Sequence, residues 1–107
     1  MKNIFDDRRF LNRNGFHSTS SICVTINEDK ADSYFSPIEV EFSMSDCSKT
    51  IHLSIDTSTE KELDNSLFKL EQIEEVCRKA KEALEKTRPI IKEFEIEKQK
   101  NAVKNNN

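Results

Sequence analysis

The most informative part of the sequence is residues 38–56, IEVEFSMSDCSKTIHLSID. Apolar and polar residues alternate on both sides of its DCSK segment, which is the pattern of two half-buried antiparallel strands. With residues 46–49 as the loop, Met44 faces Ile51 and Phe42 faces Leu53, so the apolar side chains share one face. Because a slip by one residue would turn one apolar set to water, the stretch predicts a hairpin in a single register.

The same stretch has the composition of a thiol hydrolase site, with Cys47 as nucleophile, His52 as base and Asp46 as orienting acid. Thiol catalysis needs a base within hydrogen-bond reach and an enclosing pocket. The predicted hairpin instead places Cys47 in an exposed loop and His52 on the polar face, opposite Ser43. We therefore expect a turn cysteine and a protein that is not an enzyme.

A further strand and a long helix complete the predicted fold. Ile22, Val24 and Ile26 alternate with polar residues, and Thr59 with Glu62 has the spacing of a capping box at a helix start. Apolar residues then recur at spacings of three and four, which is typical of an amphipathic helix. The sequence predicts one α+β domain, in which a three-stranded antiparallel meander packs on a long C-terminal helix.

The predicted boundaries leave the first segment open between two structures. DDRRFLNRNG either forms a short helix that stops at Gly15 or is an extended arm closed by an Asn14-Gly15 turn. Residues 27–37 are expected to form an exposed loop, with Tyr34 and Phe35 as its apolar residues. The segments are an arm or short helix at 1–17, one domain at 18–100 with strands about 21–27, 37–45 and 50–57 and helices about 59–87 and 89–100, and a disordered tail at 101–107.

From residue 70 the apolar residues of the helix also repeat as a heptad. We call this set the heptad stripe; it has Leu70, Cys77, Leu84 and Ile91 at the first core position and Ile73, Ala80, Thr87 and Phe94 at the second. Pro89 interrupts it, and a proline costs roughly 3 kcal/mol inside a helix but suits a helix start. The helix is therefore expected to break or kink near Pro89.

The predicted helix is longer than the sheet that should cover it. At 1.5 Å per residue it spans roughly 42 Å, whereas a seven-residue strand spans roughly 23 Å. The uncovered residues are Cys77, Ala80, Leu84, Ile91 and Phe94. Either the second helix folds back over them or a second copy covers them, and we expect self-association as a coiled-coil homodimer.

The net charge of -3 is unevenly distributed along the chain. Seven acids meet two bases between residues 18 and 59, and Glu39, Glu41 and Asp56 form a predicted acidic face. Such a face can dock on a basic groove of a protein partner, and its plainer interpretation is a solvated surface. The N-terminal segment is basic instead, and Arg8, Arg9 and Arg13 are candidate nucleic-acid contacts, which gives an alternative function.

The sequence does not indicate a disulfide framework, a metal or cofactor site, a membrane span or a secretion signal. Three widely spaced cysteines, without a CxxC pair, predict neither a disulfide framework nor a zinc site, and two histidines make any metal or cofactor site unexpected. The sequence has neither an apolar run of membrane-spanning length nor a signal segment, so we expect a cytoplasmic protein. The twelve lysines and nine asparagines suit a phage or mobile-element product. The predicted function is a small non-enzymatic interaction protein that regulates or inhibits another macromolecule and has no small-molecule substrate.

Overall fold

The computed structural model of the chain describes residues 2–16, 19–29 and 36–105. It confirms an α+β architecture, with an antiparallel sheet of four strands in the order β1-β2-β3-β4 and two helices. The chain divides into two compact units, residues 1–68 and 69–107. The elements are β1 (Lys2–Phe10), β2 (Ser20–Glu28), β3 (Ile38–Asp46), β4 (Lys49–His52), α1 (Glu60–Glu85) and α2 (Arg88–Asn105).

The hairpin of β3 and β4 has the predicted register, with Met44 opposite Ile51. Its loop is shorter than the predicted four residues because Asp46 and Lys49 also pair. Only two residues then turn the chain, and the first of them, Cys47, has a φ of 57°. A tight hairpin loop needs a positive φ, which is a costly conformation for a residue with a Cβ atom.

The strand predicted at 50–57 is observed as a β-strand only as far as His52. The chain nevertheless continues beside β3, since the Leu53 amide donates to the Phe42 carbonyl at 2.8 Å and the Thr57 hydroxyl to the Ile38 carbonyl at 3.1 Å. Side-chain hydrogen bonds thus replace part of the backbone ladder.

The expected number of three strands is wrong, because residues 2–10 form β1 and pair antiparallel with β2. The sequence KNIFDDRRF lacks the alternation that reveals a half-buried strand, and nearly all of its side chains are exposed. An edge strand pairs its backbone with only one neighbour. Because its side chains are exposed on both faces, the alternation of apolar and polar residues is weak. The predicted Asn14-Gly15 turn is present, with Gly15 at a φ of 99° and the Phe16 amide donating to the Arg13 carbonyl at 3.3 Å.

The apolar face of the sheet is half-buried. Ile22 lies opposite Met44, and Val24 lies opposite Phe42, so the apolar residues of β2 and β3 share one side as predicted. Among the residues that the structure describes, no hydrophobic side chain is fully buried. Packing of the predicted helix on this face stays a prediction.

Helix α1 begins at a capped N-terminus. The Thr59 hydroxyl accepts a hydrogen bond from the Glu62 amide at 3.1 Å, which is half of the predicted capping box. One turn later, the buried Ser66 hydroxyl bonds both backbone groups of Asp56. These contacts tie the first turns of α1 to the segment that follows β4.

The helical region is interrupted near the predicted position. Helix α1 ends at Glu85 and α2 begins at Arg88, and the Thr87 hydroxyl donates to the Leu84 carbonyl at 2.6 Å, satisfying a group at the end of α1. A change of helix direction here stays a prediction. Helix α2 continues to Asn105, past its predicted end near residue 100. The predicted loop with Tyr34 and Phe35 lies largely outside the described residues.

Candidate functional site

The heptad stripe lies in the second unit, and most of its residues are exposed. Leu84 is 70% exposed, Ile91 53% and Phe94 66%. Cys77 and Ala80 are exposed as well, whereas Leu70 and Ile73 are intermediate. The structure therefore places all five residues of the predicted self-association site at the surface.

The sequence prediction missed the flank of this stripe. Val76 and Ala83 each precede a residue at the first core position, and both are exposed, Val76 to 66%. The signal was present, because apolar residues recur there with the same period of seven. Ile90 continues this series on α2 and is 69% exposed. The apolar surface is thus wider than a strict two-position seam.

The charged residues on the outer side of α1 pair within the helix. Lys79 contacts Glu75 at 3.5 Å, and Arg78 contacts Glu82 at 2.9 Å. Exposed pairs of this kind contribute only a few tenths of a kcal/mol, about 0.3–0.5 each.

Glu74 and Lys81 lie on the other flank of the stripe, each directly after a residue at the second core position. Neither has an ion-pair partner within the part of the chain that the structure describes. The flank therefore carries one negative and one positive group that are available to a partner.

The junction of the two helices is held by an ion pair. Arg88 donates to both carboxylate oxygens of Glu85 at 2.7 Å. These hydrogen bonds, and then the charge of Arg88, hold the pKa of the Glu85 carboxyl below its ordinary value. On α2, Ile90 and Phe94 line a shallow open groove of about 510 Å³, together with polar residues of the following turns.

The acidic face is only partly assembled. Glu39 and Glu41 are exposed on the polar side of β3, opposite Asn27 and Thr25, and all four line a shallow pocket of about 310 Å³. Asp56 lies beyond β4, where its carboxylate accepts a hydrogen bond from the Ser58 amide at 2.9 Å. That bond lowers the pKa of Asp56, so its charge has a local structural partner.

The three candidate nucleic-acid contacts are separated. Arg8 and Arg9 are neighbours in β1 and so point to opposite faces of the sheet. Arg9 makes a bidentate ion pair with Asp7, and the Arg9 hydrogen bonds lower the pKa of the Asp7 carboxyl. Arg13 lies in the loop after β1, where it lines an open pocket of about 330 Å³ with Phe10 and Phe16.

The candidate thiol site is not brought together. His52 lies three residue pairs from the Asp46–Lys49 pair, roughly 10 Å along the strands from the loop that carries Cys47. The Asp46 carboxylate accepts a hydrogen bond from Ser20 on β2. Cys47 is an exposed free cysteine, and Cys23 and Cys77 are also free.

No family model matches the sequence, and the comparisons with curated proteins and with solved structures found no match. Neither helix of the described ranges is long and apolar enough to cross a membrane. Within those ranges, no group of His, Cys, Asp or Glu side chains is arranged to hold a metal ion.

Proposed function

We propose that this chain is a small non-enzymatic interaction protein that self-associates through the heptad stripe and regulates or inhibits another macromolecule. The observation that carries the proposal is the exposure of the stripe on α1 and α2. Apolar side chains that recur along one side of a helix are covered in most soluble proteins. The same stripe of a second copy can pack against it, which covers the apolar side chains of both chains.

A pair of charge variants tests the self-association. Leu84→Glu introduces a carboxylate into the stripe, and Gln72→Glu introduces the same charge on an exposed residue outside the core positions. By light scattering at matched concentrations, Leu84→Glu is expected to have the mass of one chain and Gln72→Glu that of two. Equal masses for both variants would show that the stripe is not the interface.

The acidic residues Glu39 and Glu41 are the proposed contact for the regulated macromolecule. Both are exposed on one side of β3, and they flank a shallow pocket, so a basic group of a partner has access to both carboxylates. Capture of a stoichiometric protein by wild type, and its loss with Glu39→Gln and Glu41→Gln together, is the expected result. Retention of that protein by the double variant would remove this surface from the proposal.

A second candidate function is single-stranded nucleic-acid binding at the loop after β1. The specific observation is the pocket that Arg13 shares with Phe10 and Phe16, which are 86% and 69% exposed. Exposed aromatic rings stack on bases, and an arginine contacts the phosphate backbone. Fluorescence anisotropy with a labelled single-stranded oligonucleotide should show binding that weakens with salt and on Arg13→Ala, but not on Arg78→Ala. Absence of binding at low salt would exclude this candidate.

A further inference from the structure

We propose that the second copy docks on the heptad stripe of α1 in the antiparallel orientation, with Cys77 of one chain opposite Ala80 of the other. The inference rests on the proposed self-association and adds its direction and register. It depends on two properties of α1, namely the sizes of the stripe residues and the charges on the flank.

The stripe residues match by size in this register. In an antiparallel pair of helices, the first core position of one chain faces the second core position of the other. A layer of Cys77 and Ala80 at the centre places Ile73 opposite Leu84 in the next layer. Because the arrangement has twofold symmetry, each layer occurs twice. Two small layers at the centre let the backbones approach, and two layers of large aliphatic side chains close the ends.

One flank of the pair is apolar in the same register. The residues that precede the first core position meet each other across an antiparallel pair. Val76 therefore lies beside Ala83 of the partner, and by the same symmetry Ala83 lies beside Val76 of the partner. Both side chains are exposed in the single chain, so the pairing covers surface that the stripe alone would leave open.

The other flank is complementary in charge. Glu74 and Lys81 follow the second core position, and residues at this position also meet each other across an antiparallel pair. Glu74 then lies beside Lys81 of the partner, and the contact occurs twice. A parallel pair would instead place Lys81 near Val76 of the partner, which offers no charge, and Glu74 near Lys69 of the partner, so Lys81 is the residue whose contact distinguishes the two orientations. Neither residue breaks an existing ion pair, since none is present for them in the described chain.

Mixed disulfides test the orientation directly. One chain keeps only the thiol of Cys77, through Cys23→Ser and Cys47→Ser. The other carries the same two substitutions with Cys77→Ala and Ala80→Cys, and an affinity tag of different size. The antiparallel register brings these two thiols together, whereas two Cys77 thiols are offset by about 4.5 Å along the axis, which is poor disulfide geometry. Oxidation of the mixture should give about tenfold more mixed than like disulfide.

Charge reversal supplies an independent readout in the full chain. Glu74→Lys and Lys81→Glu should each weaken self-association by about tenfold, because each turns two attractive contacts into two repulsive ones. The double variant with both changes should recover wild-type association. A parallel pair would leave the Lys81→Glu variant unaffected.

The outcomes separate the two levels of the proposal. A two-chain mass with predominantly mixed disulfide supports the antiparallel register. A two-chain mass with predominantly like disulfides overturns the register and leaves self-association standing. A one-chain mass at high concentration overturns both, and it would point to cover by α2 or by a different protein.

Discussion

The Ser66 hydroxyl on α1 bonds both backbone groups of Asp56, donating to the carbonyl oxygen at 2.8 Å and accepting from the amide at 3.0 Å. Ser66 is only 3% exposed, and it is the one buried residue of α1 among those described. A short polar side chain therefore fixes the start of the helix to the chain that leaves β4. The predicted alternation of apolar residues gives no sign of this contact.

Ser66→Ala should lower the free energy of unfolding of the first unit by about 1–3 kcal/mol, because it leaves the amide and carbonyl of Asp56 without their partner. Chemical denaturation followed by circular dichroism measures the loss. The neighbouring Asn65→Ala is the control, since Asn65 is exposed on the same helix. Equal stability of Ser66→Ala and Asn65→Ala would contradict the structural role of the hydroxyl.

Cys47→Gly should raise the free energy of unfolding by about 1 kcal/mol, because glycine accepts the φ of 57° without a Cβ clash. Cys47→Ala removes the same thiol but keeps the Cβ atom, and it should be close to neutral. Thermal unfolding of the three proteins under reducing conditions separates the two effects. If the alanine variant gained as much as the glycine variant, the thiol and not the backbone would be responsible.

The pKa of Glu85 should lie below that of an ordinary glutamate, and Arg88→Gln should return it to the usual value. A carboxyl whose pKa is lowered by folding adds stability above its unfolded pKa, and this contribution is lost as the pH falls through the folded pKa. Carbon-detected NMR titration of the side-chain carboxyl measures the shift. Arg78→Gln is the control, because Arg78 pairs with Glu82. If Arg78→Gln changed the pKa of Glu85 as much as Arg88→Gln does, Arg88 would not be the cause of the lowered pKa.

How much of the fold is predictable depends on how strongly each element buries an apolar face. The alternation of β3 gave the correct register against β4, including Met44 opposite Ile51, since only that register keeps the apolar side chains together. Strand β1 was missed because it is an edge strand with exposed side chains, so its sequence carries no alternation. The loop length was overestimated because a positive φ at Cys47 leaves no mark in the sequence.

The candidate site is predictable only where it depends on the periodicity of the sequence. The heptad spacing predicts that Cys77, Ala80 and Leu84 share one side of α1, since periodicity alone assigns residues to one side of a helix, and the structure shows all three exposed. The pocket of Phe10, Arg13 and Phe16 depends on how the loop after β1 folds, and local sequence predicts such geometry poorly. The positions of Arg8 and Arg9 were not predictable either. The two side chains lie on opposite faces because they are neighbours in β1, and the sequence did not predict that strand.

Sedimentation equilibrium of the wild-type chain, under reducing conditions and over a wide range of concentration, measures directly whether the chain self-associates. The chain has a mass of 12.5 kDa. Self-association through the heptad stripe predicts a mass that rises with concentration and levels off at two chains. A mass of one chain at the highest concentration reached would show that the chain is a monomer and that the heptad stripe is not an interface between two copies.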